Sequence, residues 1–126
     1  MLIIRYTPPI DLDLEGTSAD LKAIVRAISK MTPDSPPVVL RADPRHDGSS
    51  YDRCLSTLEI CVADRPARVS VTGEAMVVEG SLESLRRFAS FCTIGAGNHA
   101  HYEYCSGNDL IAQDSIPLVI STRQDD

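Results

Sequence analysis

The feature that most restricts the fold is a pair of closely spaced strand patterns in the middle of the chain. Residues 55–63, LSTLEICVA, alternate apolar and polar side chains, with Leu58, Ile60 and Val62 on one side. Residues 67–80, ARVSVTGEAMVVEG, carry two short alternating runs around a glycine and predict a β-hairpin. Links this short join antiparallel neighbours, because a parallel crossover needs about a dozen residues. We therefore expect an antiparallel sheet at the centre of the chain.

Two amphipathic helices are predicted on either side of this central region. The first begins at a capping-box pattern formed by Thr17 and Asp20 and ends before Pro33. The second begins at the cap residue Ser81 and ends at the glycines of the segment TIGAGN. Their apolar faces are formed by Leu21, Ile24, Val25, Ile28, Leu82, Leu85, Phe88, Ala89 and Cys92.

The order of these elements predicts the fold class. Further strands are expected at residues 2–7, 37–42, 98–105 and 116–122. The segment IDLDLEGTS is expected to be an extended lead-in to the first helix, and residues 43–53 a polar surface loop. Together they predict an α+β fold in which a single, mainly antiparallel sheet of about six or seven strands packs against two helices. Residues 1–126 are expected to form one domain.

The charge balance restricts the class of partner. The formal net charge is −6, and the Lys and Arg residues form no cluster. A nucleic-acid-binding surface needs clustered basic side chains to neutralise phosphates, so this class is excluded. An acidic surface suits a basic protein partner, and it equally serves solubility alone. No apolar run reaches the ~18 residues that span a bilayer, and the opening MLIIRYTPP lacks the pattern of a signal peptide. We expect a cytoplasmic protein with no membrane partner.

The sequence contains no motif for a cofactor or a catalytic nucleophile. The segment TIGAGN lacks the G-x-G-x-x-G spacing that binds dinucleotides, and no G-x-S-x-G pattern is present. Cys54, Cys61, Cys92 and Cys105 form no C-x-x-C pair, which argues against a structural zinc site and a disulfide framework. We therefore predict reduced thiols, no cofactor and no enzymatic activity.

The segment GAGNHAHYEYC, residues 95–105, concentrates the side chains that could carry function. On a strand, His99, His101 and Glu103 share one face, while Tyr102 and Tyr104 share the other. This face has three interpretations: a polar structural surface, a protein-recognition surface, or a metal site. Tyrosine and histidine are suited to recognition, because amphipathic rings are frequent at or beside interface hot spots.

The metal interpretation rests on two alternate histidines and a carboxylate, the ligand types of a facial metal site. Compared with the cupin pattern G-x5-HxH-x3,4-E, however, Glu103 follows His101 too closely, and the preceding glycines are too near. A further ligand would have to come from elsewhere, and His46 lies in a distant loop. A small metal-binding protein or metal-dependent enzyme using His99, His101 and Glu103 is therefore the alternative hypothesis.

The second half of the chain resembles the immunity protein 32 family of bacterial polymorphic-toxin systems. The motifs that carry the resemblance are VEGSLESLRRFASFC, GAGNHAHYEY and DSIPLVI, within residues 66–121. The resemblance implies a small cytosolic α+β protein that binds and neutralises a cognate protein toxin. Combined with the recognition reading, it gives a partner-binding surface formed by His99, His101, Tyr102, Glu103 and Tyr104. The acidic residues Asp11, Asp13 and Glu15 are expected to provide charges at its rim.

Overall fold

The computed structural model describes residues 1–45, 48–95 and 97–124, and within them it contains two helices and nine strands. The strands are β1 (Ile3–Thr7), β2 (Asp11–Gly16), β3 (Val38–Arg41), β4 (Arg53–Leu55), β5 (Thr57–Val62), β6 (Arg68–Thr72), β7 (Ala75–Gly80), β8 (His99–Tyr102) and β9 (Leu118–Thr122). The helices are α1 (Ser18–Ser29) and α2 (Leu82–Phe91). None of the described helices is long and apolar enough to cross a membrane.

The α+β class is confirmed, whereas the prediction of a single sheet is wrong. The strands form a five-stranded sheet in the order β4-β1-β2-β9-β8 and a four-stranded sheet in the order β3-β5-β7-β6. The chain passes from one sheet to the other at Ser56, the single residue between β4 and β5. The prediction from short links was wrong here because a sharp corner can lead the chain into a second sheet instead of pairing the two strands that it joins. The predicted hairpin of β6 and β7 is present and turns at Gly73, whose φ is 60°.

Two of the strand pairings are parallel, and one of them joins distant parts of the chain. β2 pairs with β9, and β5 pairs with β7, whereas the other five strand pairs are antiparallel. Strand β5 was expected to have antiparallel neighbours only, but its partner β7 is reached through β6. The segment expected to be a lead-in is β2, the central strand of the five-stranded sheet. Its alternation is that of a half-buried strand, with Leu12 and Leu14 in the core.

Both helices begin where the sequence predicts. Thr17 and Asp20 form a full capping box at α1, and the side chain of Ser81 accepts a hydrogen bond from the backbone N–H of Ser84 at α2. Helix α2 ends with Cys92 as its C-cap, in the right-handed helical conformation. The prediction that the glycines of TIGAGN end this helix is therefore wrong, since the last helical residue, Phe91, lies four residues before Gly95.

One cluster of buried side chains joins the two sheets and the two helices. It contains the inner residues of both sheets and the apolar faces of α1 and α2. Tyr102 lies at its β8 end, with its ring edge-on to those of Phe88 and Phe91 at centroid distances of 5.0 Å. Aromatic pairs in this geometry contribute about 1 kcal/mol each beyond their buried area. This packing fixes β8 against α2.

Candidate functional site

The histidine segment forms β8, a short strand at one edge of the five-stranded sheet. Strand β8 pairs antiparallel with β9, which places His99 opposite Ser121 and His101 opposite Val119. Both histidines are exposed, and their ring centroids lie 5.3 Å apart in an edge-to-face arrangement. The prediction that they share one face of a strand is confirmed, although the strand ends at Tyr102.

The backbone of β8 also has a direction that matters for binding. The backbone N–H of Thr122 donates to the carbonyl of Asn98 over 3.0 Å, so Asn98 faces β9. Because alternate residues of an antiparallel pair face the partner strand, Ala100 faces β9 too, and His99 and His101 direct their backbone N–H and C=O groups outward. Within residues 1–45, 48–95 and 97–124, no strand pairs with this outer edge.

Tyr102 does not belong to the surface that the sequence predicts. Its side chain is fully buried, and its hydroxyl has no hydrogen-bond partner among the described residues. Burial raises the pKa of this phenol to about 12. Its inclusion in a contact surface is therefore corrected: Tyr102 anchors β8 to the core and leaves the histidines on the opposite, exposed face.

Glu103 and Tyr104 follow β8 and lie in different surroundings. The Glu103 side chain is exposed, whereas Tyr104 is half-buried and packs against the core cluster. The side-chain amide of Gln113 donates to the Tyr104 hydroxyl over 3.3 Å. Of the five predicted contact residues, His99, His101 and Glu103 are exposed, and Tyr104 is half-buried.

Next to β8 lies a pocket of about 150 Å³, here called the β2–β8 pocket. Its polar groups come from Asp11 at the start of β2, Tyr51 from the loop before β4, and His101 and Glu103. Ile10, Pro117 and Val119 are among the apolar lining residues. The parallel register of β2 and β9 makes this possible, because it aligns Leu12 with Leu118 and so brings Asp11 beside Pro117.

The sequence did not predict the β2–β8 pocket or the position of Tyr51 in its lining. Tyr51 stands in a polar loop, and no periodic signal connects it with residues 50 positions further along the chain. Partial burial raises the pKa of Tyr51, and the nearby charges of Asp13 and Asp11 raise it further, against the opposing effect of Arg5. The phenol is therefore neutral and sits in an electronegative part of the surface.

The three carboxylates that were predicted at the rim differ in their burial and in their ion pairs. Asp13 is buried and its Oδ2 lies 2.6 Å from Nη1 of Arg5. Glu15 lies 3.3 Å from Arg5 and 3.2 Å from Arg123. Asp11 is exposed, and over the part of the chain that the structure describes it forms no ion pair. Of the three, Asp11 alone carries an unpaired charge to the β2–β8 pocket.

The described residues contain no set of ligands for the metal site of the alternative hypothesis. No group of three or more His, Cys, Asp or Glu side chains there is placed to hold an ion. The edge-to-face packing of His99 and His101 makes a ring–ring contact. His46, the possible further ligand, lies outside the described residues.

No similar protein was found when the chain was compared with known proteins. No model of a known protein family matches the chain, and neither a curated protein nor a solved structure does.

Proposed function

We propose that this chain is an immunity protein that binds a cognate bacterial toxin and neutralises it by forming a stoichiometric protein–protein complex. The observation that carries the proposal is the exposed outer edge of β8, with two imidazole side chains beside an open pocket. The resemblance of residues 66–121 to the immunity protein 32 family supports the same conclusion.

The edge of β8 supports binding for a physical reason. An unpaired strand edge presents backbone donors and acceptors that a second chain can satisfy, and such edges are usually blunted in proteins that remain alone. Strand β8 is short, but its outward groups at His99 and His101 are not covered by another described strand. A partner seated there gains backbone hydrogen bonds and contacts with both rings.

The rest of the surface agrees with a protein partner of opposite charge. The chain has a formal net charge of −6, which accelerates encounter with a basic protein through long-range attraction. An interface of ordinary size covers about 800 Å² of each partner, so β8, the β2–β8 pocket and their surroundings would form its centre. Neutralisation then follows from occupying a surface that the toxin needs, and requires no reaction by this chain.

The experiment is co-purification with a candidate toxin, chosen from the genes adjacent to the one that encodes this chain. We expect a 1:1 complex by light scattering after gel filtration, and loss of toxicity on co-expression. His99→Ala/His101→Ala should weaken the complex about ten-fold or more, since hot-spot truncations cost at least about 1.4 kcal/mol. Lys22→Ala/Lys30→Ala, two exposed residues at α1, is the matched control. Absence of a complex with the wild-type chain would refute the proposal.

A further inference from the structure

We infer that the β2–β8 pocket receives an arginine side chain of the bound protein. The inference rests on the proposed function in one respect, namely that the partner is a protein. It goes further by naming the chemical group that the site recognises, a guanidinium, and the residues that recognise it.

Two carboxylates line the β2–β8 pocket. Asp11 and Glu103 contribute two exposed carboxylates to the pocket. Neither is engaged in an ion pair within the described residues, whereas nearby Asp13 and Glu15 are paired with Arg5 and Arg123. Uncompensated negative charge in a concave site attracts a cation, and the field is focused by the surrounding low-dielectric walls.

The β2–β8 pocket has a size and an apolar lining that suit an arginine side chain. A volume of about 150 Å³ is comparable to that of a cavity that admits a benzene molecule, so a planar guanidinium fits. Ile10, which is 56% exposed, and Pro117 provide apolar surface for the methylene stem. Tyr51 also lines the pocket, and an aromatic ring next to a guanidinium can add a cation–π contact.

Arginine suits this pocket better than lysine does. A guanidinium has five N–H donors in a fixed plane, so it can donate to two carboxylates and stack on a ring at the same time. Asp11, Glu103 and Tyr51 all line the β2–β8 pocket, together with His101. An ammonium group would satisfy the charge alone, and it is more strongly hydrated.

The direct test uses N-acetyl-arginine amide as the probe and N-acetyl-citrulline amide as its neutral, nearly isosteric control. In titrations followed by NMR, we expect saturable shifts of the Tyr51, His101 and Glu103 signals with the arginine compound only. Asp11→Asn/Glu103→Gln should abolish these shifts. Asp34→Asn/Asp64→Asn removes two exposed carboxylates outside the pocket and should preserve them. Equal shifts with both compounds, or none with the arginine compound, would overturn the inference.

A second test uses the same candidate toxin. Asp11→Asn/Glu103→Gln should weaken the complex about ten-fold or more, and should also reduce its sensitivity to NaCl, whereas the Asp34/Asp64 control should do neither. If the wild-type complex forms and the pocket variant binds equally well, the inference fails while the proposed function stands. If no complex forms at all, the proposed function fails, and the titration with N-acetyl-arginine amide decides the pocket independently.

Discussion

Nη1 of Arg5 lies 2.6 Å from Oδ2 of Asp13, directly across the β1–β2 pair. The two side chains are 14% and 11% exposed, so this is a nearly buried ion pair on the outer face of the sheet. The same guanidinium reaches Glu15 over 3.3 Å, and Glu15 in turn lies 3.2 Å from Arg123 just after β9. The network therefore joins β1, β2 and the end of β9.

Removing one member of this network should be costly. In Arg5→Met the Asp13 carboxylate stays buried without the guanidinium, and we expect the free energy of unfolding to fall by about 3 kcal/mol. Arg5→Met/Asp13→Leu should recover most of this loss, because it removes the unpaired carboxylate that the single change leaves buried. Urea denaturation measures both variants.

The control for this prediction is Arg53→Met. Arg53 pairs with Glu74 over 2.6 Å, but the two side chains are 40% and 60% exposed. Loss of such a surface pair costs under about 1 kcal/mol. Equal costs for Arg5→Met and Arg53→Met would show that the Arg5–Asp13 pair is no more protected than a surface pair.

The capping box of α1 should make stability depend on pH. Burial alone would raise the pKa of Asp20, but hydrogen bonds from the Thr17 backbone and from the N-terminal ammonium and Thr17 hydroxyl outweigh it and lower the pKa below 3.8. A lowered folded pKa adds stability that is present well above pH 3.8 and is lost as the pH falls through the folded value. We expect Asp20→Asn to cost about 1 kcal/mol at pH 7.

The measurement is unfolding of wild type and Asp20→Asn between pH 7 and pH 2. The difference between them should shrink as the pH falls below 3.8, the ordinary value of the carboxyl. Asp34→Asn replaces an exposed carboxylate and should give a small difference at every pH. A constant difference for Asp20→Asn would contradict a role for its ionised form.

Tyr102 provides a prediction about a single oxygen atom. Its hydroxyl is buried without a hydrogen-bond partner in the described part of the chain, which costs about 1 kcal/mol or more. Tyr102→Phe should therefore raise the free energy of unfolding by about 1 kcal/mol. Tyr102→Ala should lower it by about 3–5 kcal/mol through the cavity it leaves. Thermal or urea unfolding that finds Tyr102→Phe clearly destabilised would mean that the hydroxyl has a partner.

The helices and most strands could be predicted because their signals are local. The pairing of Thr17 with Asp20, the alternation of Leu58 and Ile60, and the turn at Gly73 each depend on a few neighbouring residues. The division into two sheets could not, because it depends on long-range pairing. No sequence pattern in β2 or β9 predicts that Leu12 aligns with Leu118.

The candidate site divides in the same way. Strand alternation correctly placed His99 and His101 on one exposed face. It could not show that Tyr102 lies between Phe88 and Phe91, because that requires the position of α2. The β2–β8 pocket could not be predicted for a similar reason. Its lining residues come from β2, from the loop before β4, and from the segments around β8 and β9.

The thiols should differ sharply in reactivity. Burial raises the pKa of Cys92 to about 12, while burial and the charges of Glu59 and Glu79 raise that of Cys61. Cys105 is exposed, and its thiol is therefore the accessible one. With Ellman's reagent at pH 8, we expect the native protein to show a single fast-reacting thiol, which Cys105→Ser removes and Cys61→Ser keeps. Mass mapping that finds Cys92 labelled as fast as Cys105 would contradict the buried position.

Proline substitutions in β8 test which way its backbone faces. The N–H of Ala100 faces β9, so Ala100→Pro removes a ladder hydrogen bond and should lower the free energy of unfolding by about 2 kcal/mol or more. The N–H of His101 faces outward, and proline is tolerated at such edge positions. His101→Pro should therefore cost about 1 kcal/mol or less in the free chain. Similar costs at both positions would contradict the assigned direction.

The same substitution separates two modes of partner binding. If the partner adds a strand to the edge of β8, His101→Pro removes a donor that the partner needs and blocks its approach. We expect His101→Pro to weaken the complex about ten-fold beyond His101→Ala, which loses only the ring. Titration calorimetry with the partner toxin of the proposed function measures both variants, after unfolding curves confirm that each is folded. Equal affinities would place the contact on the imidazole face alone, because the backbone edge would then contribute nothing.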